Sequence, residues 1–191
     1  MDLSKKELKE IIKEELGVYR NPMLQFFHMI KMFLCGNEML PAQEVLYSLR
    51  FYEYYFNKKN PNIFEKAFQS FWHFTFRNRQ LKHSIFIEPN CVQKGLKLIH
   101  PGFRKIPEFV HIGKHSTILP MVLIGKKKPG IEGKAIIGDN CYISTGVTIL
   151  APVNIGDNVT IGAGAVVTKD IPSNTTVAGI PAKKINTVPI E

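Results

Sequence analysis

The spacing of hydrophobic positions changes once along this chain, and the change divides it in two. Up to about residue 82 the spacing is helical. Leu8, Ile11, Ile12, Glu15 and Leu16 fall on one helical face, with Gly17 as a stop. A second helix is expected over Met23 to Cys35, ending near Gly36-Asn37. A third starts after Pro41 and runs to about Lys58, with Val45, Leu46, Leu49, Tyr52 and Phe56 as its apolar face. Asn60-Pro61-Asn62 reads as the cap of a fourth helix reaching about Leu81. That helix carries Phe64, Phe68, Phe71, Trp72, Phe74 and Phe76, followed by Arg77, Arg79 and Lys82. Aromatic and basic residues together suit a membrane surface or nucleic acid, or else packing against other helices or a neighbouring subunit. No recognised nucleic-acid motif accompanies them, so packing is the expectation.

From Ile106 onward an aliphatic residue recurs every six positions: Ile106, Ile112, Ile118 and Ile124, then Ile137, Ile143, Ile149, Ile155, Ile161 and Val167. Four positions after each, the residue is mostly small or β-branched, as at Val110, Ser116, Val122, Cys141, Val147, Val153, Val159 and Ala165. Neither the helical nor the strand period produces this pattern, whereas a hexapeptide solenoid does. Each hexapeptide supplies a short strand and a corner, and three complete a coil of a prism whose interior holds the aliphatic side chains. Ile137 should then stack on Ile155, and Ile143 on Ile161. Asn140, Gly146, Asn158 and Gly164 precede the small positions, where a tight corner calls for positive φ. The β-helix as a whole is expected to be short, about three coils.

The repeat breaks between Ile124 and Ile137. The glycine-rich, basic stretch at 125–134 should be expelled as a loop, either a binding surface or a tolerated surface insertion. The expected organisation is α+β, with a helical N-terminal domain at 1–82 and a β-helix domain at 83–191 bearing this protruding loop.

Composition adds less. In 191 residues, 25 Lys and Arg against 16 Asp and Glu give a net charge of +9. That balance suits anionic partners such as phosphorylated cofactors, or is simply a solubilising surface. Cys35, Cys91 and Cys141 are few, odd in number and far apart, which argues against a disulfide framework or structural zinc and suits a reducing compartment. The charged N-terminus does not read as a signal peptide, and the most apolar stretch, Met23 to Leu34, is too short to span a bilayer. The expectation is a cytoplasmic protein with no membrane span and no nucleic-acid partner. His100, His111 and His115 are not spaced by coil multiples, so no metal is expected.

The stretch from about Ile87 to Lys184 resembles the hexapeptide acyltransferases, most closely the serine acetyltransferase branch with its helical N-terminal domain. Three segments carry the resemblance: Gly95-Leu96-Lys97-Leu98-Ile99-His100-Pro101-Gly102, the repeats from Ile137 to Val167, and Asn174-Thr175-Thr176-Val177-Ala178-Gly179-Ile180-Pro181-Ala182-Lys183. The resemblance implies that the prism is a left-handed parallel β-helix. It also implies that His100 is the general base removing the proton of an acceptor hydroxyl, which attacks the thioester of acetyl-CoA. The family's orienting Asp is replaced by Phe86, which leaves Glu88 and Glu108 as candidate partners of His100. Acetyl-CoA as cosubstrate would lie along Gly125, Thr145, Gly146, Ala163 and Gly164, with Lys183 and Lys184 at its phosphates. The family's acceptor-binding Arg and His are matched by Gly133 and Lys134, and Lys134 remains able to meet a carboxylate.

Two acceptors follow from these departures. Overall similarity implies L-serine and a place in cysteine biosynthesis. The missing Asp and altered loop suit instead a sugar of a surface-polysaccharide precursor. A non-catalytic β-helix scaffold is a third reading. The family's assembly implies a homotrimer, with the helical half able to join two trimers.

Overall fold

The computed structural model describes residues 4–16 and 37–185, so the helix expected at Met23 to Cys35 lies outside the described residues. The chain divides into two compact units, Met1–Ile85 and Phe86–Glu191.

In the first unit, α1 (Lys5–Leu16) starts with a capping box. The Ser4 hydroxyl accepts from the Glu7 N–H at 3.2 Å, and the Glu7 carboxylate accepts from the Ser4 N–H at 2.8 Å. α2 (Leu40–Phe56) has Pro41 in its first turn, where the missing N–H is harmless. α3 (Ile63–His83) is capped by Asn62, whose side chain accepts from the Glu65 N–H while Glu65 reaches back. Trp72 and Phe76 of α3 pack between helices as expected. The Trp72 ring stacks on Phe51 at 4.5 Å, and Phe76 on Tyr52 at 5.9 Å. Phe64, Phe68, Phe71 and Phe74 instead remain 51–74% exposed. Glu15, a charged residue on an apolar stripe, is buried against Arg50, which also bonds Glu53 at 2.8 Å. No described helix is long and apolar enough to cross a membrane.

The second unit is a three-faced parallel β-helix. Sheet A stacks β1 (Ile85–Ile87), β3 (Arg104–Ile106), β6 (Val122–Lys126), β9 (Thr148–Ala151) and β12 (Val166–Val167). Sheet B stacks β4 (Val110–Ile112), β7 (Ala135–Ile137) and β10 (Val153–Ile155). Sheet C stacks β2 (Lys97–Leu98), β5 (Thr117–Ile118), β8 (Tyr142–Ile143), β11 (Thr160–Ile161) and β13 (Thr176–Ala178), with β14 (Lys183–Lys184) added antiparallel. Inward columns of isoleucine, leucine and valine fill the prism, and Ile112, Ile118, Ile143, Ile149 and Ile161 have no exposed surface. Ile137 lies beside Ile155 and Ile143 beside Ile161, as the period requires.

Sheet A has five levels, more than the roughly three coils expected of the β-helix from its repeats. Register explains the difference. Arg104 pairs with Val122, eighteen positions on, but Lys97 pairs with Thr117, twenty on. Two extra residues therefore lie between Leu98 and Arg104, and they destroy the six-residue phase of the first coil. The expected loop is also shorter. Gly125 and Lys126 belong to β6 and pair with Leu150 and Ala151, so the loop is 127–134.

Corners take the backbone conformation that their sequence demands. Asn140, Gly146, Asn158 and Gly164 have φ of 56°, 71°, 55° and 67°. Along the edge between sheets B and C, side chains extend the ladder. Asp139 Oδ1 accepts from the Lys114 N–H, Asp157 Oδ1 from the Asp139 N–H, and the Ser173 hydroxyl from the Asp157 N–H, at 2.7–2.9 Å.

Candidate active site

The edge where sheet C turns into sheet A brings together His100, Thr145, Gly146, Ala163 and Gly164 of the residues singled out in the sequence. Its corners connect β2 to β3, β5 to β6, β8 to β9 and β11 to β12. Each corner holds a residue of positive φ, His100 (60°), Met121 (63°), Gly146 (71°) and Gly164 (67°), and the first also holds Gly102 at 135°. Backbone bonds tie the corners into a column. Met121 N–H donates to the Phe103 carbonyl at 2.7 Å, Gly146 N–H to Pro120 at 3.1 Å, and Gly164 N–H to Thr145 at 2.9 Å. The Thr145 hydroxyl donates to the Pro120 carbonyl at 2.9 Å. His100, Thr145, Gly146, Ala163 and Gly164 are all exposed on this one edge. Three level spacings separate the His100 corner from Gly164, roughly 14 Å.

The glycines are not dictated by the chain's own packing. Met121 holds the same conformation one level below Gly146, and Asn serves at the edge between sheets B and C. A Cβ on Gly164 would meet nothing within 4 Å, and one on Gly146 only the Gly164 backbone at 3.7 Å. Above Met121 the edge is therefore open, and backbone is accessible to a thin, extended ligand.

His100 sits in the expanded corner with the two extra residues. Beneath it is a residue that sequence reasoning missed. Arg104, the first residue of β3, is fully buried. Its guanidinium donates to the carbonyls of His100 at 2.7 Å, Gly102 at 3.0 Å and Ile118 at 3.2 Å, and also to that of Ile99. Burial pushes its pKa down to about 10, so it remains a cation at neutral pH. The signal was available: Arg104 stands six positions before Val110, where the repeat calls for a small inward residue.

Phe86, in place of the family's Asp, packs its ring on Phe103 at 6.2 Å. Glu88 follows β1 and Glu108 follows β3, and the Glu88 N–H donates to the Ile106 carbonyl at 3.0 Å. Both carboxylates thus stand at the edge between sheets A and B, while His100 stands at the edge between C and A. The length of a three-residue strand, roughly 10 Å, lies between them within one chain.

The bacterial transferase hexapeptide family (six repeats) matches residues 134–169. The chain carries the hexapeptide repeat of bacterial transferases. Over 52 residues, 27% of this chain and 26% of that protein, it is 50% identical to galactoside O-acetyltransferase of Escherichia coli. Over 101 residues, 46% of this chain and 41% of that protein, it is 41% identical to serine acetyltransferase of Synechococcus elongatus. The matches thus span from a quarter to about two fifths of these relatives' own length. The crystal structure of Neisseria gonorrhoeae serine acetyltransferase in complex with serine superposes over 97% of this chain and 72% of that chain, with a TM-score of 0.64 at 23% identity. The fold is that of the serine acetyltransferases, a helical N-terminal region followed by a left-handed parallel β-helix.

The remaining candidates lie around the hexapeptide-repeat prism. Gly125 lies in β6 on sheet A, and a Cβ there would meet nothing within 4 Å. Lys183 and Lys184 form β14, both exposed. The segment before them closes over the last level of the edge, with Val166 N–H donating to the Gly179 carbonyl at 3.0 Å and Ala182 N–H to Val166 at 2.8 Å. In the loop, Lys134 is exposed, and Gly133 has φ 127° with a virtual Cβ 2.7 Å from Pro152 Cβ. Only glycine fits there, which accounts for Gly133 where the resemblance calls for Arg. His111 Nε2 lies 3.1 Å from the Gln93 amide on sheet B, while His115 turns the corner between B and C. Among the described residues no cluster of His, Cys, Asp and Glu is placed to hold a metal. Burial pushes the Cys141 thiol pKa up, and its Sγ lies 3.2 Å from the Gly156 carbonyl, so it serves as packing.

Proposed function

We propose that this chain is an acetyl-CoA-dependent O-acetyltransferase with His100 as general base and L-serine as acceptor. The observation that carries this reading is the shared edge: His100 at one end and an open track over Thr145, Gly146, Ala163 and Gly164 leading away from it. The track suits a pantetheine arm, and Lys183 and Lys184 at its far end suit phosphates as point charges. Gly125 is not part of this track: it stands at the other end of β6, in the column of Pro107 and Glu88 toward the edge between sheets A and B. The His100 imidazole takes the hydroxyl proton as the acceptor oxygen attacks the thioester carbon. The C–S bond then breaks, and the imidazolium returns the proton to the departing CoA thiolate. Lys134, in the exposed loop between β6 and β7 at the edge between sheets A and B, is proposed to meet the carboxylate of an acceptor held at His100 of a neighbouring subunit.

A homotrimer completes the proposal. Each face of the prism carries a half-exposed apolar residue, Leu123 on sheet A, Ile136 on B and Tyr142 on C, at 40–45% exposure. Neighbouring prisms would cover them. Such packing would also let Glu88 or Glu108 of one subunit approach His100 of another, which the span of sheet A prevents within one chain. The exposed Phe64, Phe68, Phe71 and Phe74 face of α3 is proposed to join two trimers.

The second reading, a sugar O-acetyltransferase, is favoured by specific observations. Phe86 is engaged with Phe103 where the family has its Asp, and Gly133 is sterically required where it has Arg. A panel of L-serine and sugar acceptors, assayed by CoA release, decides between them. Turnover with serine supports the first reading, and turnover only with a sugar replaces it by the second.

A further inference from the structure

Arg104 occupies a position that the repeat reserves for small apolar side chains. It pairs across sheet A with Val122, which is itself fully buried, and Val147 and Ala165 are the inward residues of the levels above. A cation inside such a prism is expensive to desolvate, and no carboxylate among the described residues pairs with it. Its charge is met instead by four carbonyl dipoles. Three belong to Ile99, His100 and Gly102, the corner that carries His100, and the fourth to Ile118 in the next coil.

The reason for this arrangement lies in the register. In the next two corners of this edge the Pro120 and Thr145 carbonyls each accept from an N–H of the following level, that of Gly146 and that of Gly164. The corner from Leu98 to Arg104 has two residues more, and Pro101 within it has no N–H to offer. The expansion lifts His100 out on the edge but leaves carbonyls turned toward the interior without a ladder partner. A planar guanidinium with five donors can bind several of them at once and fix their relative orientation, which an ammonium cannot. His100 itself is held at φ 60°, a conformation an ordinary side chain adopts only when its surroundings enforce it.

We infer that Arg104 is a positioning residue for His100: its buried guanidinium clamps the expanded corner from inside and so fixes the direction in which the imidazole leaves the edge. The role rests on the reading of His100 as the base, and it adds a residue that acts through His100 without touching either substrate.

The test compares Arg104→Met and Arg104→Lys with wild type, following both turnover and the His100 ring Cε1–H resonance, assigned by its loss in His100→Asn. With the clamp removed, Arg104→Met should lower kcat by about a hundredfold, as expected of a base displaced by an ångström. KM for acetyl-CoA should stay within about twofold, because the track above the corner is intact. The His100 resonance should move from its wild-type position toward that of an unrestrained histidine. Arg104→Lys, which keeps the charge but not the fork, should show the same changes to a smaller extent. If Arg104→Met does not fold, Arg104→Lys carries the comparison. Wild-type kcat with an unmoved His100 resonance in the folded variant overturns the inference. If wild type turns over no acceptor, the acetyltransferase reading falls, and the resonance alone decides whether Arg104 positions His100.

Discussion

Gly164 offers the sharpest test of the open edge. Replacing it with leucine keeps the corner's φ of 67° but adds a side chain where a Cβ would meet nothing within 4 Å. The folding cost should therefore come from the left-handed backbone alone, about 1–2 kcal/mol. For a domain of this size that is roughly 5–10 °C in Tm. Met121 shows that the same edge accommodates such a residue. The cost to function should be larger and separate. Four leucine carbons on the track between His100 and the lysines would obstruct the pantetheine arm. Acetyl-CoA should bind at least tenfold more weakly, about 1.4 kcal/mol or more. Asn140→Leu supplies the control, because Asn140 has φ 56° but stands on the edge between sheets B and C. Calorimetry with acetyl-CoA and thermal unfolding of both variants separate strain from obstruction. Equal weakening of acetyl-CoA binding in the two, or none in Gly164→Leu, would refute the assignment of this edge.

The other predictions are simpler. Ile143→Ala removes a fully buried side chain stacked between Ile118 and Ile161, and should cost about 2–4 kcal/mol in chemical denaturation without altering acetyl-CoA affinity of the folded protein. Glu44 is held below its ordinary pKa of 4.5: partial burial would raise it, but the His83 hydrogen bond and the charges of Lys82, His83 and Arg79 outweigh that. Its contribution is present in full above pH 4.5 and is lost as pH falls through the lower folded value, so Glu44→Gln should flatten this part of the Tm–pH curve between pH 5 and 3. Mass measurement in solution should give a multiple of three chains, and a stable monomer would contradict the trimer.

The repeat was legible because a narrow prism admits only aliphatic residues at one position and small ones at another. Ile137, Ile143 and their partners could be stacked on paper. The first coil was not legible, since two extra residues in the His100 corner shift its phase and Arg104 replaces the expected small residue. The loop is two residues shorter than its composition predicts, because Gly125-Lys126 look like loop chemistry while sheet A continues through them. The stacking of Thr145-Gly146 under Ala163-Gly164 follows from the period. The placing of His100 on the same edge and of Gly125 at the far end of β6 does not, because two extra residues shift the first coil and the insertion hides the register of β6. Nor does the position of Glu88 and Glu108 at a different edge, because spacing from His100 alone says nothing about which corner a residue turns. On α3, helical spacing placed Trp72 and Phe76 inward, but aromatic residues all round the helix hid which face stays open.

The central claim is that this edge carries acetyl transfer with His100 as its base. The rate of CoA release from acetyl-CoA in wild type and His100→Ala, with the acceptor that supports turnover, tests it most directly. The account predicts turnover in wild type, a fall of about two to four orders of magnitude in His100→Ala, and acetyl-CoA binding by the variant close to that of wild type. Wild-type turnover by His100→Ala, or no binding of acetyl-CoA by either protein, would contradict it.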